Sequence, residues 1–253
     1  MPSVTLARLV LIEARRGALP WLALAAVAAS LALAAFLSQV ALTESRALQL
    51  AIVASAARAC AVFFLAAHVA SSLVRELSDK GLELMLSLPL PRSAQYLGRL
   101  AGFSACGAAL AVVLAAPLLL WAPPAAVVLW GLSLALECTL VAAAALFFTM
   151  SLGQLVAGLS ATAGLYVLSR TIASVQAIAS SPLAEDSTAH DIARWAVDAV
   201  ALLLPRLDSV TRTEWLLYGA PSLQAYAAAI AGLLAYIALL AAAGLFDFHR
   251  ESF

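Results

Sequence analysis

Three side chains that could hold a charge or move a proton fall inside long apolar runs: Glu137, Arg58 and His68. Glu137 lies near the middle of its run. A charge at the centre of a bilayer costs about 2.5–3.5 kcal/mol on insertion scales, so such a residue is expected to face a cavity or a partner. Arg58 is the expected partner. One reading makes Glu137 a residue that gates or touches a transported substrate. The plainer reading is a carboxyl hydrogen-bonded to a neighbouring helix. A third is a membrane-embedded enzyme using Glu137 with His68, but no second catalytic group stands at motif spacing. No GxxxxGK followed by Ser or Thr occurs, so the chain is not expected to bind ATP itself. HExxH and GxSxG are also missing, and no catalytic or metal-binding set is assigned. Cys60, Cys106 and Cys138 sit in apolar runs without a CxxC pair. They read as buried free thiols.

The elements that must position these residues are oily. Of the 253 residues, 64% are hydrophobic and 11% charged, against about 25% charged in a soluble domain. Mean hydropathy is +1.01, too high for one water-soluble core, which points to a polytopic membrane protein. Fourteen basic and 14 acidic residues cancel, leaving no basic footprint for nucleic acid. Six runs reach the roughly 20 apolar residues that a bilayer requires: approximately 18–41, 48–74, 96–120, 125–150, 152–178 and 222–246. No alternating barrel pattern appears, so the expected fold is all-α, a single transmembrane domain over 1–253 with six transmembrane helices. The run from Ala18 to about Val40 exceeds the roughly 7–15 residues of a signal-peptide core and is read as a span.

An even number of spans puts both termini on one side. With the N-terminus inside, the inner basic residues are Arg8, Arg15, Arg16, Arg75, Lys80, Arg92, Arg99 and Arg250, and the outer ones Arg46, Arg58, Arg170, Arg194, Arg206 and Arg212. Positive residues favour the cytoplasm, so the expected topology is N-in/C-in. Residues 1–17 form an elbow before the first span. Ser3 could cap it, Arg8, Arg15 and Arg16 lie close on a helical wheel, and Leu6, Leu9, Val10 and Ile12 are apolar. This fits a helix lying in the interface against lipid headgroups.

Residues 180–221 form the largest outer segment and read as two short helices. Thr188-x-x-Asp191 has capping-box spacing and Pro205 ends the helix it opens. Asp191, Arg194 and Asp198 recur along one face, with Ile192, Trp195 and Ala199 beside them. Thr211-x-x-Glu214 is a second box, stopped by Gly219 and Pro221. Asp191, Arg194, Trp195, Asp198, Glu214 and Trp215 are the candidate gate or docking residues. Gly98-x-x-x-Gly102 reads as close helix packing.

Between the second and third runs lies a charged amphipathic island over 75–92. Leu77, Leu84 and Leu88 share a face beside Met85, and Arg75, Glu76, Asp79, Lys80 and Glu83 supply the polar surface. Gly81 weakens a helix by up to about 1 kcal/mol and marks a bend, while Pro89 and Pro91 force an extended break.

These residues resemble the ABC-2 type permeases, the six-span membrane subunits of ATP-driven ABC exporters. The family pattern matches Arg75-Glu76, Asp79, Gly81, Leu82-Glu83-Leu84-Met85, Ser87-Leu88-Pro89, Arg92 and Leu97-Gly98-Arg99. The motif covers about 25 residues, and the architecture the whole chain. Two positions depart from the pattern: Leu82 stands where Thr is usual, and Lys80 is a basic spacer. The resemblance implies that 75–92 is a cytoplasmic coupling helix seated on a soluble ATP-binding subunit. Arg75, Glu76, Asp79, Gly81, Glu83, Leu84, Pro89 and Arg92 would make that contact. It further implies two permease copies, identical or paralogous, with two ATPase subunits that bind ATP and Mg, in a bacterial inner membrane. An alternative is a force-transmitting subunit that drives a periplasmic partner without a transport pore.

Overall fold

Proline, glycine and charge decide where the apolar runs begin and end as helices. The computed structural model describes residues 2–40, 45–78, 91–180, 188–219 and 222–250, and all regular structure among them is helical. A short α1 (Pro2–Arg16) is followed by α2 (Leu19–Val40), α3 (Ser45–Ser78), α4 (Arg92–Ala115), α5 (Pro124–Leu152) and α6 (Leu155–Ala179). Next come α7 (Thr188–Leu203), α8 (Glu214–Leu217) and α9 (Leu223–Arg250). Six stretches are long and apolar enough to cross a membrane: Leu19–Gln39, Arg46–Ser78, Arg92–Leu120, Pro124–Leu152, Leu155–Ala179 and Leu223–Arg250. The all-α expectation and the count of six agree with this, as befits a multi-pass membrane protein.

The boundaries differ from the hydropathy reading for local reasons. The third span starts at Arg92 rather than near 96. Pro91 takes the N-cap, where a proline loses nothing by lacking an N–H, and its carbonyl accepts from Ala94 N at 3.0 Å. The far end of that span narrows to a 3-10 helix over Ala116–Leu120 with Pro117 in its first turn, because a proline inside an α-helix removes one ladder bond and crowds the preceding turn. Gly153 ends α5 in the left-handed region, φ 63°, which glycine adopts without a Cβ penalty. A two-residue turn therefore suffices before α6.

Contacts between helix ends fix which ends lie together. Arg92 Nη1 donates to the carbonyls of Phe248 and His249, each at 3.3 Å, and Ser151 bonds Asp247. The C-terminal end of α9 thus meets the start of α4 and the end of α5. Ser72 of α3 bonds Glu13 of α1, so α1 lies at this same end, called here the termini end. At the far end, Arg46 donates to the Trp121 carbonyl through Nε and Nη2 at 3.0 and 2.8 Å.

The core is built around α5, where Trp130, Leu134, Glu137, Cys138 and the run from Ala142 to Leu146 are almost wholly enclosed. Small residues let neighbours approach, the usual basis of helix association in lipid. A Cβ on Gly107 would stand 2.8 Å from Cys138 Cβ and 2.9 Å from Leu65 Cδ2. By contrast α2 carries 11% of its most apolar window buried against 56% for α5, so α2 lies at the rim.

The structure adds a packing partner to the elbow helix α1. Leu6, Val10 and Ala14 are buried, whereas Leu9 and Ile12 are about half exposed. The helix packs on α4: a Cβ on Gly102 would lie 2.7 Å from Val10 Cβ and 3.1 Å from Ala7 Cα. The small residue of Gly98-x-x-x-Gly102 therefore receives α1. The elbow has a protein seat and keeps a second apolar edge outside.

Candidate functional site

Two polar clusters sit in this oily bundle. The first is at mid-depth and toward the far end. Glu137 is fully buried. Tyr166, on the facing side of α6, donates its hydroxyl to Glu137 Oε1 at 2.8 Å. Arg170, one helical turn further along α6, brings Nη1 to 3.6 Å from the same oxygen. The expected Arg58–Glu137 pair is not what forms. Arg58 instead donates through Nη1 to the Thr211 carbonyl at 3.0 Å, while remaining within electrostatic reach of Tyr166 and Arg170.

Arg170 does more than balance Glu137. Its Nη1 also donates to the carbonyls of Leu207 at 2.6 Å and Val210 at 2.9 Å, and Nη2 to that of Thr211 at 3.3 Å. Thr211 is fully buried with φ 53°, a conformation that costs a non-glycine residue about 1–3 kcal/mol and persists only where its surroundings hold it. Two arginines on one carbonyl provide that hold. The pair Tyr166 and Arg170 therefore joins a buried carboxyl on α5 to the backbone of the 205–211 segment.

This arrangement overturns the second capping box. Thr211 does not cap α8; Thr213 occupies the N-cap, with no side-chain cap bond. The Thr211 backbone is committed to Arg58 and Arg170, so the chain turns there and the helix opens at Glu214. Gly219, at φ 101°, ends the outer segment's second helix as expected. The first helix begins at Thr188 and stops before Pro205. The side chains of Thr188 and Asp191, like that of Ser3, lie outside the described residues.

The remaining outer candidates separate into two kinds. Arg194 and Trp195 are exposed, Trp195 at 74%. Asp198 accepts from Gln176 Nε2 at 2.9 Å, tying α7 to α6. Glu214 is exposed, 3.9 Å from Arg212. Trp215 is buried and meets Tyr226 edge-on at 5.5 Å, an anchoring position rather than an exposed docking one.

The second cluster girdles the termini end. Glu76 Oε2 pairs with Arg99 Nη2 at 2.8 Å, linking the last turn of α3 to α4. Arg99 is almost wholly buried and Glu76 is partly exposed. Arg92 caps the carbonyl end of α9, where a cation meets the helix dipole favourably. Arg75 is exposed. Of the other coupling candidates, Asp79, Gly81, Glu83, Leu84 and Pro89 lie outside the described residues. On α1, Glu13 accepts the Ser72 hydroxyl at 3.0 Å through either oxygen.

His68 belongs with this second cluster. Its ring meets Phe103 edge-on at 6.0 Å and lies within electrostatic reach of Glu13 and Arg75. His68 thus keeps company with Glu13, Arg75 and Phe103, whereas Glu137 is engaged by Tyr166 and Arg170. Among the described residues no group of three His, Cys, Asp or Glu could hold a metal ion.

Sequence reasoning misses Tyr166, Arg170 and Glu13. It counts Arg170 among the outer cations although this arginine falls inside the 152–178 run, and Tyr166 precedes it by four residues. That i, i+4 pair within a span is the available signal. Glu13, an acid among basic residues next to the first span, offers a weaker one. No protein-family model matches the chain, and no curated protein matches it.

Proposed function

We propose that this chain is the membrane-spanning permease subunit of an ATP-driven ABC exporter in a bacterial inner membrane, with both termini cytoplasmic. The observation that carries this reading is the polar island at 75–92 and the way its flanks are fastened. A segment that receives force from a soluble motor must pass it to several spans at once. Glu76–Arg99 links α3 to α4, Arg92 links α4 to α9, and Ser72–Glu13 links α3 to α1. A push on the connection between Ser78 and Arg92 would therefore move four helices together. The motif within the connection resembles that of the ABC-2 type permeases, and the termini end collects Arg8, Arg15, Arg16, Arg75, Arg92 and Arg99, as a cytoplasmic face would. ATP and Mg would be bound by two copies of a partner ATPase, with a second permease copy completing the assembly.

A second reading is favoured by the outer segment. Trp195 and Leu202 of α7 are strongly exposed, yet the loop that follows α7 is fastened to α6 and α3 by Arg170 and Arg58. A force-transmitting subunit that drives a periplasmic partner would use such a firmly mounted, apolar helix as its contact.

Co-purification with the proteins encoded beside this chain, followed by an ATPase assay, tests both readings. An associated ATP-binding subunit whose activity falls on Glu83→Ala and on Gly81→Leu is the expected result. If no ATP-binding subunit associates and neither substitution matters, both readings fail. Export activity retained by a variant carrying Trp195→Ser and Leu202→Ser separates the exporter from the force transmitter.

A further inference from the structure

We propose that the cavity under the corner between α1 and α2 binds an anionic glycerophospholipid, its phosphate held between Arg16 and Arg75. The cavity measures about 650 Å³, inside the roughly 300–1,000 Å³ range of small-molecule sites. Its walls come from the corner itself, from α3 and from the first turns of α6.

Its chemistry changes with depth. Arg75 lies in the last turn of α3. His68 is seven residues deeper, about 10 Å, and Phe63 twelve residues deeper, about 18 Å. The mouth is thus charged, and the deeper wall, formed by Phe63, Phe64 and Leu159, is apolar, with Leu22 and Leu155 flanking the mouth where α2 and α6 begin. That gradient matches an amphiphile that stands parallel to the helices. A free phosphate would use the mouth alone. Phe63 is 59% exposed, and Leu22 and Leu155 are about 40% exposed, so the apolar part opens on the bundle surface, where acyl chains lie.

Charge at the mouth favours an anion. Arg16 and Arg75 are exposed, and among the described residues neither guanidinium has a hydrogen bond or an ion pair. Glu13 lines the inner wall and is engaged by Ser72, so the mouth carries a net single positive charge when His68 is neutral. Basic pockets at the headgroup level of membrane helices take anionic lipids by this arithmetic. His68 Nε2 is buried and has no protein partner; a glycerol hydroxyl or an ester carbonyl of the lipid supplies one. The bound lipid would brace the corner, which Gly17 turns tightly, with its notional Cβ 3.3 Å from the Glu13 carbonyl. The site requires only a membrane-spanning chain and stands whether or not an ATPase partner exists.

Native mass spectrometry of the full chain in detergent tests this, with phosphatidylglycerol, phosphatidylethanolamine or chain-free glycerol 3-phosphate added. Phosphatidylglycerol should be retained preferentially. An Arg16→Gln, Arg75→Gln double variant should weaken that retention on the order of tenfold. Leu159→Trp, which fills the deeper apolar part and leaves both arginines, should weaken it too. The lipid-free melting temperature of the double variant should match that of the unaltered chain, since neither guanidinium holds the fold. Unchanged phosphatidylglycerol retention by the double variant overturns the site. Glycerol 3-phosphate binding as well as the lipid overturns the lipid assignment, and equal retention of phosphatidylethanolamine overturns the anionic preference.

Discussion

The two polar clusters solve one problem in different ways. The mid-depth cluster encloses Glu137 completely and spends Arg170 and Arg58 on backbone carbonyls of a loop. The girdle at the termini end joins side chain to side chain, Glu76 to Arg99 and Ser72 to Glu13, with Glu76 partly open to solvent. The reason is depth. Deep in an apolar medium an ion pair must also satisfy its remaining donors, and an arginine carries five. The 205–211 segment supplies three carbonyls to Arg170, whose side chain is only 21% exposed. At the termini end the Glu76 side of the pair is 28% exposed, so solvent meets part of that demand. The first cluster should therefore be brittle and the second tolerant.

Substitutions can break or sharpen that contrast. Arg170→Ala should have the largest effect. It strands Glu137 and releases the Leu207, Val210 and Thr211 carbonyls, and breaking a buried pair from one side costs about 3–5 kcal/mol. A large drop in melting temperature in detergent, with faster proteolysis within 205–213, is expected. Glu137→Gln keeps an acceptor for Tyr166 and should lose less. If Arg170→Ala melts like the unaltered protein, the cluster does not hold the loop.

Gly102→Val should come next, at about 1–3 kcal/mol for overpacking, because the new side chain meets Val10 and the Ala7 backbone. The expected signature is local: cysteines placed at Ala7 and near Gly102 should crosslink poorly in the variant, while the rest of the bundle keeps its melting behaviour. Unchanged crosslinking would mean that α1 is not seated there.

Glu76→Gln should have the smallest effect, about 1 kcal/mol, since a partly exposed pair is discounted by solvent. A double-mutant cycle with Arg99→Gln measures the coupling directly. A coupling as large as that of Glu137 with Arg170 would erase the distinction between the two regions.

Much of the frame is legible in the sequence. The apolar runs, the turn at Gly153, the helix from Thr188 to before Pro205 and the stop at Gly219 all depend on residues within a few positions of each other. The partner of Glu137 is not legible in that way. Arg58 and Arg170 are both arginines in apolar runs, and choosing between them requires knowing how α3 and α6 are rotated about their axes. The same holds for Glu13 and Ser72, 59 residues apart.

By itself, then, the sequence determined six helices long and apolar enough to span a membrane, because length and hydropathy are local sums. It also determined the places where proline or glycine must end them. The tertiary structure alone decided that Arg170 takes Glu137 while Arg58 takes the loop, that α1 sits on Gly102, and that Thr211 turns instead of capping. Each of those is a choice among chemically similar partners, and only the rotation and depth of neighbouring helices, which bring distant residues within hydrogen-bond reach, can make it.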